Sequence, residues 1–412
     1  MVQIYRKKWQ RSTLASLLGY CRDWLILTLP IKRVPPWLVK RLYGATFQFA
    51  FLVHPRAYQD VFISMPAFRI FKLFFRKKQG FKFFSNTNPF VLNTVRTQQD
   101  CNGCVIAQLT VPEIMFGQRK DALKMLKKSI TLASKICSAG AVAGLGGWFP
   151  MITKRGQLLD ATARALGVRV TNGHCGTLTS IYMTIEKIAG ISRIALNDMT
   201  IAVIGVGKMG ANVARALNGK VKYLILIDIN AIQLQKVKED LSSADCSTEV
   251  SCVLFDVDSK SELKDILHRC HVGVCATSSY RNILKLRDLP TNFIGIDDSR
   301  PEALPRDPRK ERIILEGGLL KISKAKIDYN YGFGEDDNVF GCLGEAFLLA
   351  LDKHGLLMPT LGDVNRGNFF KMVAFCRENG VSEGDLKSSN ISITDDDIRY
   401  AMDSKITDQK PQ

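Results

Sequence analysis

The stretch DMTIAVIGVGKMGANVARALNGKVKYLILIDIN, Asp198–Asn230, decides the fold of this chain. It begins with a β-branched apolar run over Thr200–Ile204, which enters a glycine-rich turn. The turn opens a segment with the 3.6-residue periodicity of a helix, through Leu217. A second apolar run then ends in an acid, Asp228. The pattern predicts a strand, a tight turn, a helix and a second strand.

The turn, Gly205-Val206-Gly207-Lys208-Met209-Gly210, matches the G-x-G-x-x-G fingerprint of dinucleotide-binding proteins. In that fingerprint the first glycine allows the turn, the second lets the backbone approach the pyrophosphate, and the third lets the helix pack on the strand. The free N–H groups at the helix start would bind the phosphates. Asp228 lies at the expected acidic position, where a carboxylate accepts hydrogen bonds from the ribose and favours NADH over NADPH.

Beyond Asp228, apolar runs over 250–255, 272–276, 293–297 and 311–318 alternate with helical segments. This alternation predicts a doubly wound parallel sheet. A loop after the 272–276 strand would meet the cofactor at the carboxyl end of the sheet. The predicted cofactor-binding residues are Gly205, Val206, Gly207, Lys208, Met209, Gly210, Asp228, Ile229, Asn230, Thr277, Ser278 and Ser279.

The predicted fold class is α/β, with a doubly wound Rossmann domain, a mixed α/β substrate domain before it and a helical segment after it. The substrate domain is predicted from strand and helix patterns that alternate before Asn197. The predicted segments are a basic amphipathic extension over 1–45, the substrate domain over 46–196, the Rossmann domain over 197–320, a helical segment with Cys342 over 321–380 and a polar, partly disordered tail over 381–412.

The chain of 412 residues has a net charge of +18, and most of this charge lies near its start. The first hundred residues contain 17 Lys and Arg against 3 Asp and Glu, and 12 of the 22 phenylalanines. Several of these lie in PAFRIFKLFFRKKQGFKFF, Pro66–Phe84. Phenylalanine mixed with basic residues is typical of interfacial membrane segments, and the apolar runs are too short to span a bilayer. We therefore expect a cytoplasmic protein that contacts a membrane surface peripherally, with no nucleic-acid partner, because no recognised nucleic-acid module is present.

The eleven cysteines are scattered and odd in number, which is typical of reduced thiols in a cytosolic protein. Cys101 and Cys104 form a single C-x-x-C without a second pair, so no metal site is predicted.

One cysteine, Cys342, lies at the start of a predicted helix, where the helix dipole lowers the pKa of a thiol. Gly341 and Gly344 beside it leave space for a bulky acyl group. From spacing alone, a buried structural cysteine is the commoner explanation. His174 in a glycine-rich turn and His54 are candidate acids or bases, although a lone histidine is more often structural.

Seven short motifs between Pro112 and Glu345 carry a resemblance to a known family, and this resemblance extends over about Phe51 to His354. They are Pro112-Glu113, Leu145-Gly146-Gly147, Thr171-Asn172-Gly173-His174 with Thr177, the glycine turn, Ile296-Asp297-Asp298 with Pro301, Gly317-Gly318, and Phe340-Gly341-Cys342-Leu343-Gly344-Glu345. In these motifs and their order the chain resembles the long-chain fatty acyl-acyl-carrier-protein reductases of cyanobacteria, which make fatty aldehydes.

The resemblance implies that Cys342 carries the acyl chain as a thioester, which hydride from NAD(P)H reduces to the aldehyde. It also implies NADPH, in disagreement with Asp228, and an acidic acyl carrier protein or CoA as the acyl donor. His174, where the family generally has asparagine, would stabilise or protonate the oxyanion. The basic front of the chain would attract an acidic carrier protein and deliver a long-chain aldehyde to a membrane.

Two other functions fit the same residues. One is a quinate/shikimate-type or glutamyl-tRNA-reductase-like oxidoreductase, since both combine an N-terminal α/β domain with a Rossmann domain. The other is a non-catalytic, membrane-bound NAD(P) sensor with an unreactive Cys342.

Overall fold

The structure is a computed structural model, and it describes residues 5–6, 21, 25, 33–43, 46–64, 77–243, 247–256, 260–277, 284–299, 302–327, 329–330, 337–389 and 391–408. Contacts divide the chain into two compact units. The N-terminal unit takes residues from Met1–Gly176 and Ile322–Gly380, and the second, the Rossmann unit, takes residues from Thr177–Lys321 and Val381–Gln412.

The strands, in chain order, are β1 Tyr5–Arg6, β2 Phe47–Val53, β3 Phe90–Arg96, β4 Gly103–Ala107, β5 Cys137–Leu145, β6 Arg169–Thr171, β7 Thr200–Ile204, β8 Tyr223–Asp228, β9 Glu249–Leu254, β10 Val272–Cys275, β11 Ile294–Asp297, β12 Ile313–Glu316, β13 Leu319–Ile322, β14 Lys326–Ile327, β15 Tyr329–Asn330, β16 Asn338–Phe340, β17 Val381–Glu383, β18 Lys387–Ser388 and β19 Ile391–Ser392.

The α-helices are α1 Pro36–Tyr43, α2 Asp60–Ser64, α3 Lys77–Asn86, α4 Pro112–Gly117, α5 Arg119–Ile136, α6 Phe149–Ile152, α7 Gln157–Ala165, α8 His174–Ser192, α9 Lys208–Leu217, α10 Ala231–Ser242, α11 Lys260–His268, α12 Gly341–Leu351, α13 Arg366–Glu378 and α14 Asp395–Asp408.

The Rossmann unit contains a six-stranded sheet in the order β12-β11-β10-β7-β8-β9. Every neighbouring pair in it is parallel. Counted from β7 as the first strand, this is the order 3-2-1-4-5-6 of the doubly wound dinucleotide fold, with the switch point between β7 and β10. The predicted Rossmann fold is confirmed, and the strand order places the glycine turn after β7 at the switch point.

The N-terminal unit contains a second six-stranded sheet, in the order β14-β3-β4-β2-β5-β6. The four strands β4, β2, β5 and β6 are parallel, and β3 and β14 add antiparallel edges. Helix α12 packs against β2 and β5, where the ring of Phe347 meets that of Phe49 at 6.0 Å in an edge-to-face arrangement. The predicted mixed α/β domain is therefore present, and α12 forms part of its core.

The units do not follow the predicted segment boundaries. Residues 177–196 belong with the Rossmann unit, and residues 322–380 return to the N-terminal unit instead of forming a separate segment. The reason is that α12 is apolar around nearly its whole circumference and must be covered on several sides, here by the N-terminal sheet. Periodicity predicts such a helix but does not say which sheet covers it.

The predicted polar tail is also corrected, because residues 381–408 contain three short strands and α14. Ile398, Ala401 and Met402 on α14 are buried. The sequence contains a helix start here, although the polar composition suggests a disordered tail. The hydroxyl oxygen of Thr394 accepts the N–H of Asp397, and acids fill the first turn.

The basic extension over 1–45 and the Phe-rich stretch over 66–84 fall largely outside the described residues. Within the described part, α1 begins at Pro36, in keeping with the preference for proline in the first helical turn. No helix among the described residues combines the length and the apolar character needed to cross a membrane.

Candidate functional site

The glycine turn of the Rossmann unit has the geometry that a dinucleotide requires. Gly205 has a φ of 86°, which side chains with a Cβ rarely adopt. A Cβ at Gly210 would lie 1.9 Å from the carbonyl oxygen of Gly205, so only glycine lets α9 approach the turn. At Gly207, by contrast, no described atom lies within 4 Å of the Cβ position. The turn is therefore packed tightly beneath and open where the pyrophosphate would approach.

Asp228 connects the end of β8 to this turn. One carboxylate oxygen accepts the N–H of Val206 at 2.7 Å, and the other accepts the N–H of Asn230 at 2.9 Å. Each carboxylate oxygen has a further lone pair, so the same group can accept a ribose hydroxyl. The next residue, Ile229, is 75% exposed and offers no positive charge for a 2′-phosphate.

The remaining predicted cofactor residues divide between described and undescribed parts. Lys208 and Met209 form the first turn of α9, which has no side-chain cap on its N–H groups. Thr277 lies beside the turn, with its Cβ 3.1 Å from the Cβ position of Gly205. Ser278 and Ser279 lie outside the described residues. The turn, the uncapped helix start and Asp228 together fit a nicotinamide dinucleotide.

Two of the shared motifs converge in the same unit, at the carboxyl ends of β11 and β12. A Cβ at Gly317 would meet the backbone nitrogen of Asp298 at 2.7 Å. Gly318 has a φ of 73°, and its Cβ position is 2.4 Å from an Asp298 carboxylate oxygen and 3.4 Å from the Thr177 methyl group. The buried carboxylate of Asp297 accepts three backbone N–H groups from the loop that follows β11. These residues shape the edge of the sheet where a ligand of a doubly wound fold binds.

In the N-terminal unit, Cys342 is the second residue of α12 and is half-buried. The residue before the helix, Phe340, gives no side-chain cap, and the first turn contains no acid. The thiol therefore lies at the positive end of the helix dipole.

Burial determines the pKa values of other thiols of this chain. It raises the pKa of Cys101 and of Cys376 to about 12, and raises that of Cys104 well above its usual value. The ten described cysteines are all free of disulfides.

The turn that carries His174 packs directly against Cys342. Gly173 has a φ of 78°, and a Cβ there would lie 2.2 Å from the Cβ of Cys342. One turn later, a Cβ at Gly176 would lie 2.1 Å from the carbonyl oxygen of Gly341. Only glycine at both positions allows the first turns of α8 and α12 to approach so closely. The structure thus places the backbone of the turn before His174 against Cys342, although the two lie far apart in the sequence.

Glu345 is the residue that joins these two helix starts, and it was not among the predicted site residues. Its side chain is fully buried, and its carboxyl group accepts hydrogen bonds from the N–H of Gly176 at 2.8 Å and of Thr360 at 3.2 Å. The hydroxyl of Thr171 donates a third. Burial raises the pKa of Glu345, against the effect of these three donors. A single acid in the otherwise apolar GCLGEAFLLAL was the signal that could have revealed it.

A strained turn lies beside the same site. Lys154, Arg155 and Gly156 have φ values of 48°, 56° and 87°, so three consecutive residues are left-handed. Such a conformation costs roughly 1–3 kcal/mol for a residue with a side chain and persists where surrounding bonds hold it. Here the Arg155 carbonyl accepts the side-chain N–H of Asn172 and the N–H of Gly362, and the Arg155 guanidinium pairs with Asp363.

His174 is held neutral by this environment. Burial first, and then the positive charge of Arg155, lower the pKa of His174 to about 4, against the opposing effect of Asp363. At neutral pH the ring is therefore a neutral imidazole and cannot act as an imidazolium acid. It still carries one N–H group that can donate a hydrogen bond. The predicted role of stabilising an oxyanion is consistent with this state, whereas protonation of the oxyanion by an imidazolium is not.

His54, the other candidate histidine, has a structural role. Its Nε2 accepts the N–H of Trp148 at 2.9 Å, and its Nδ1 lies 2.9 Å from the carbonyl oxygen of Pro55. The ring stacks on that of Trp148 at 5.3 Å. Both ring nitrogens are therefore engaged in fixing the chain after β2. Burial lowers the pKa of His54 to about 4.

We expect the substitutions Gly207→Ala and Gly210→Ala to have different effects. Gly207→Ala places a methyl group where the pyrophosphate would approach, so NADH binding should weaken at least tenfold. The free energy of unfolding should stay nearly unchanged. Gly210→Ala forces a Cβ against the Gly205 carbonyl and should lower the free energy of unfolding by about 1–3 kcal/mol. Titration calorimetry and urea unfolding measure the two effects. An equal loss of stability in both variants would contradict the assignment of Gly207 to cofactor binding and of Gly210 to helix packing.

We also expect acid to destabilise the protein partly through His54. Its pKa is lowered on folding, so between about pH 6.5 and pH 4 the unfolded chain binds more protons and stability falls as the pH falls. Full protonation of His54 lowers the free energy of unfolding by about 3 kcal/mol. His54→Gln should be less stable than the wild type at pH 7 yet lose less on acidification, measured by urea unfolding at several pH values. The exposed His354→Gln is the control, and parallel profiles for wild type and His54→Gln would refute the expectation.

No family model matches this chain, and no curated protein matches it in sequence. Among solved structures, L-tryptophan dehydrogenase from Nostoc punctiforme shares 12% identity over 88% of this chain and 89% of its own, with a TM-score of 0.38. Shikimate 5-dehydrogenase from Listeria monocytogenes shares 14% identity over 61% of this chain and 78% of its own, with a TM-score of 0.30. The nucleotide-binding domain of glutamyl-tRNA reductase from Thermoplasma volcanium shares 20% identity over 33% of this chain and 84% of its own, with a TM-score of 0.25. At these identities the likeness concerns fold alone.

Proposed function

We propose that this protein is an NAD(P)H-dependent reductase that converts a long-chain fatty acyl thioester to the fatty aldehyde through an acyl-enzyme on Cys342. The observation that carries the proposal is the placement of Cys342. Its thiol lies at an uncapped helix start, half-buried, against the turn that carries a neutral His174. A nucleophile at a helix start beside a hydrogen-bond donor is the arrangement that acyl transfer requires.

In the first step the Cys342 thiolate attacks the carbonyl carbon of the acyl thioester. A carbon–sulfur bond forms to Cys342, the bond to the carrier breaks, and the carrier thiolate leaves and takes a proton from solvent. The neutral imidazole of His174 donates its N–H to the oxyanion that forms in between, without the need to lose a proton. Separating acylation from reduction divides one difficult step into two easier ones.

The second step uses the cofactor. When bound at Gly205, Gly207, Gly210 and Asp228, the nicotinamide would supply the hydride that reduces the Cys342 thioester. The resulting hemithioacetal oxyanion collapses by breaking its carbon–sulfur bond, which releases the aldehyde and returns the Cys342 thiolate. Reduction requires that the nicotinamide reach the Cys342 thioester, a requirement that acylation alone does not share.

We infer a preference for NADH. The carboxylate of Asp228 would repel the 2′-phosphate of NADPH, and the exposed Ile229 beside it supplies no compensating charge. The family resemblance alone implies NADPH, and the side chains at the end of β8 weigh against it.

The acyl donor in this proposal is an acidic acyl carrier protein or CoA. The 17 basic residues among the first hundred would attract an acidic carrier by long-range electrostatics, and such steering weakens with salt. The same region would hold the protein peripherally at a membrane.

Replacing Cys342 by alanine should abolish aldehyde formation, with a loss of roughly 10³-fold or more, because the nucleophile is removed. The assay supplies palmitoyl and stearoyl thioesters of acyl carrier protein and of CoA, with NADH and NADPH separately, and detects aldehyde by gas chromatography. Without cofactor, mass spectrometry should show an acyl adduct on the Cys342 peptide. Iodoacetamide at pH 7 should label that peptide well ahead of the buried cysteines.

Two variants separate the steps. Gly207→Ala should form the acyl adduct and fail to reduce it. The control is Cys252→Ala, which removes a half-buried thiol of the Rossmann unit and should both form the adduct and reduce it to the aldehyde. Full aldehyde formation by Cys342→Ala, with no adduct in the wild type, would overturn the proposal. Oxidation of shikimate or quinate without turnover of thioesters would select the alternative oxidoreductase, and tight dinucleotide binding with no turnover at all would select a sensor.

Asp228→Asn should reduce the preference for NADH over NADPH. Removing the negative charge takes away the repulsion of the 2′-phosphate while an amide oxygen still accepts from the Val206 N–H, so kcat/KM with NADPH should rise while that with NADH falls several-fold. Steady-state kinetics with both cofactors measure the ratio. An unchanged ratio would show that Asp228 does not contact the ribose.

A further inference from the structure

Two exposed apolar side chains, those of Phe116 and Met151, and the half-buried ring of Trp148 form a patch on the N-terminal unit, which we call the aromatic patch. Phe116 near the end of α4 is 49% exposed, and Met151 in α6 is 53% exposed. The rings of Phe116 and Trp148 are 5.8 Å apart. Met151 lies three residues after Trp148, in the short helix α6 that begins directly after Trp148.

The aromatic patch is held in place by the backbone and side chains beneath it. His54 accepts the N–H of Trp148 and stacks on its ring. The Nε–H of Arg119, at the start of α5, donates to the carbonyl oxygen of Ile152 at 3.0 Å and so ties α5 to α6. The patch is therefore a rigid apolar surface in water, which is unfavourable unless a partner covers it.

A basic stripe runs from the patch along α5. It consists of Lys120, Lys124 and Lys127, which are exposed and spaced i, i+4, i+7 on one face of the helix. Arg119 beside Phe116 and Lys154 just after α6 are also exposed. The acids nearest in sequence are Glu113 and Asp121. The stripe is thus strongly positive next to a patch of aromatic and thioether side chains.

We propose that the aromatic patch and the basic stripe bind an anionic lipid surface, with the patch inserted among the headgroups. Charge complementarity supports this occupant, because each Lys or Arg at an anionic leaflet contributes attraction. Aromatic and apolar side chains beside a basic helix face are the combination that lies in a membrane interface. The inference stands on described residues and is independent of the proposed reaction.

The test is flotation of the full-length protein with vesicles of phosphatidylcholine and phosphatidylglycerol. Lys120→Glu with Lys124→Glu should lower the partition coefficient roughly fivefold for each lysine lost. Phe116→Ser with Met151→Ser should also lower it. Binding should fall in high salt. Vesicles of phosphatidylcholine alone should bind the wild type much less.

A second measurement separates the contribution of the patch from any contribution of the basic start of the chain, whose sequence is the same in all variants. Brominated lipids quench tryptophan at insertion depth, so Trp148→Phe should remove part of the quenching seen with the wild type. Lys236→Glu with Lys371→Glu is the charge-matched control, and Tyr400→Ser removes an exposed ring elsewhere; both should bind like the wild type. Equal partition of patch variants and wild type, or unchanged quenching in Trp148→Phe, would overturn the proposal. Binding of an acidic carrier protein by the stripe without vesicle binding would overturn it as well.

Discussion

The buried carboxyl group of Glu345 holds the backbone on which the candidate site of the N-terminal unit is built. It accepts the N–H of Gly176 in the first turn of α8, the N–H of Thr360 and the hydroxyl of Thr171. These bonds join three distant parts of the sequence around the start of α12, where Cys342 lies. Without them, the uncapped thiol-bearing turn would have no fixed relation to His174.

Glycine makes this arrangement possible. At Gly173 and Gly176 the backbone of one helix start meets that of another at distances that exclude a Cβ, and at Gly210 the same constraint applies to the cofactor turn. In each case a helix N-terminus is brought close to a surface that it could not reach with a side chain in between. Helix starts attract negative charge, so both units present sites suited to an anion, a thiolate in one and a pyrophosphate in the other.

The titratable groups near Cys342 have properties that their residue types alone do not reveal. Burial keeps His174 and His54 neutral, with pKa values of about 4. His174 begins the helix whose preceding turn packs against Cys342, whereas His54 supports Trp148 and, through it, the aromatic patch. Burial thus affects both histidines in the same way, although His174 is the predicted catalytic residue and His54 fixes the chain after β2.

The sequence by itself determined the Rossmann unit, because the glycine spacing, the alternating runs and Asp228 are all encoded locally, within one strand–helix–strand repeat. It also indicated Cys342 through its place at a helix start. Only the tertiary structure decided that α12 belongs to the N-terminal sheet, that α14 packs as an ordered helix, that Gly173 lies against Cys342, and that Glu345 joins the starts of α8 and α12. These outcomes depend on contacts between residues far apart in the chain, such as Thr171 with Glu345 and Arg155 with Asp363, and short-range periodicity carries no information about such pairs.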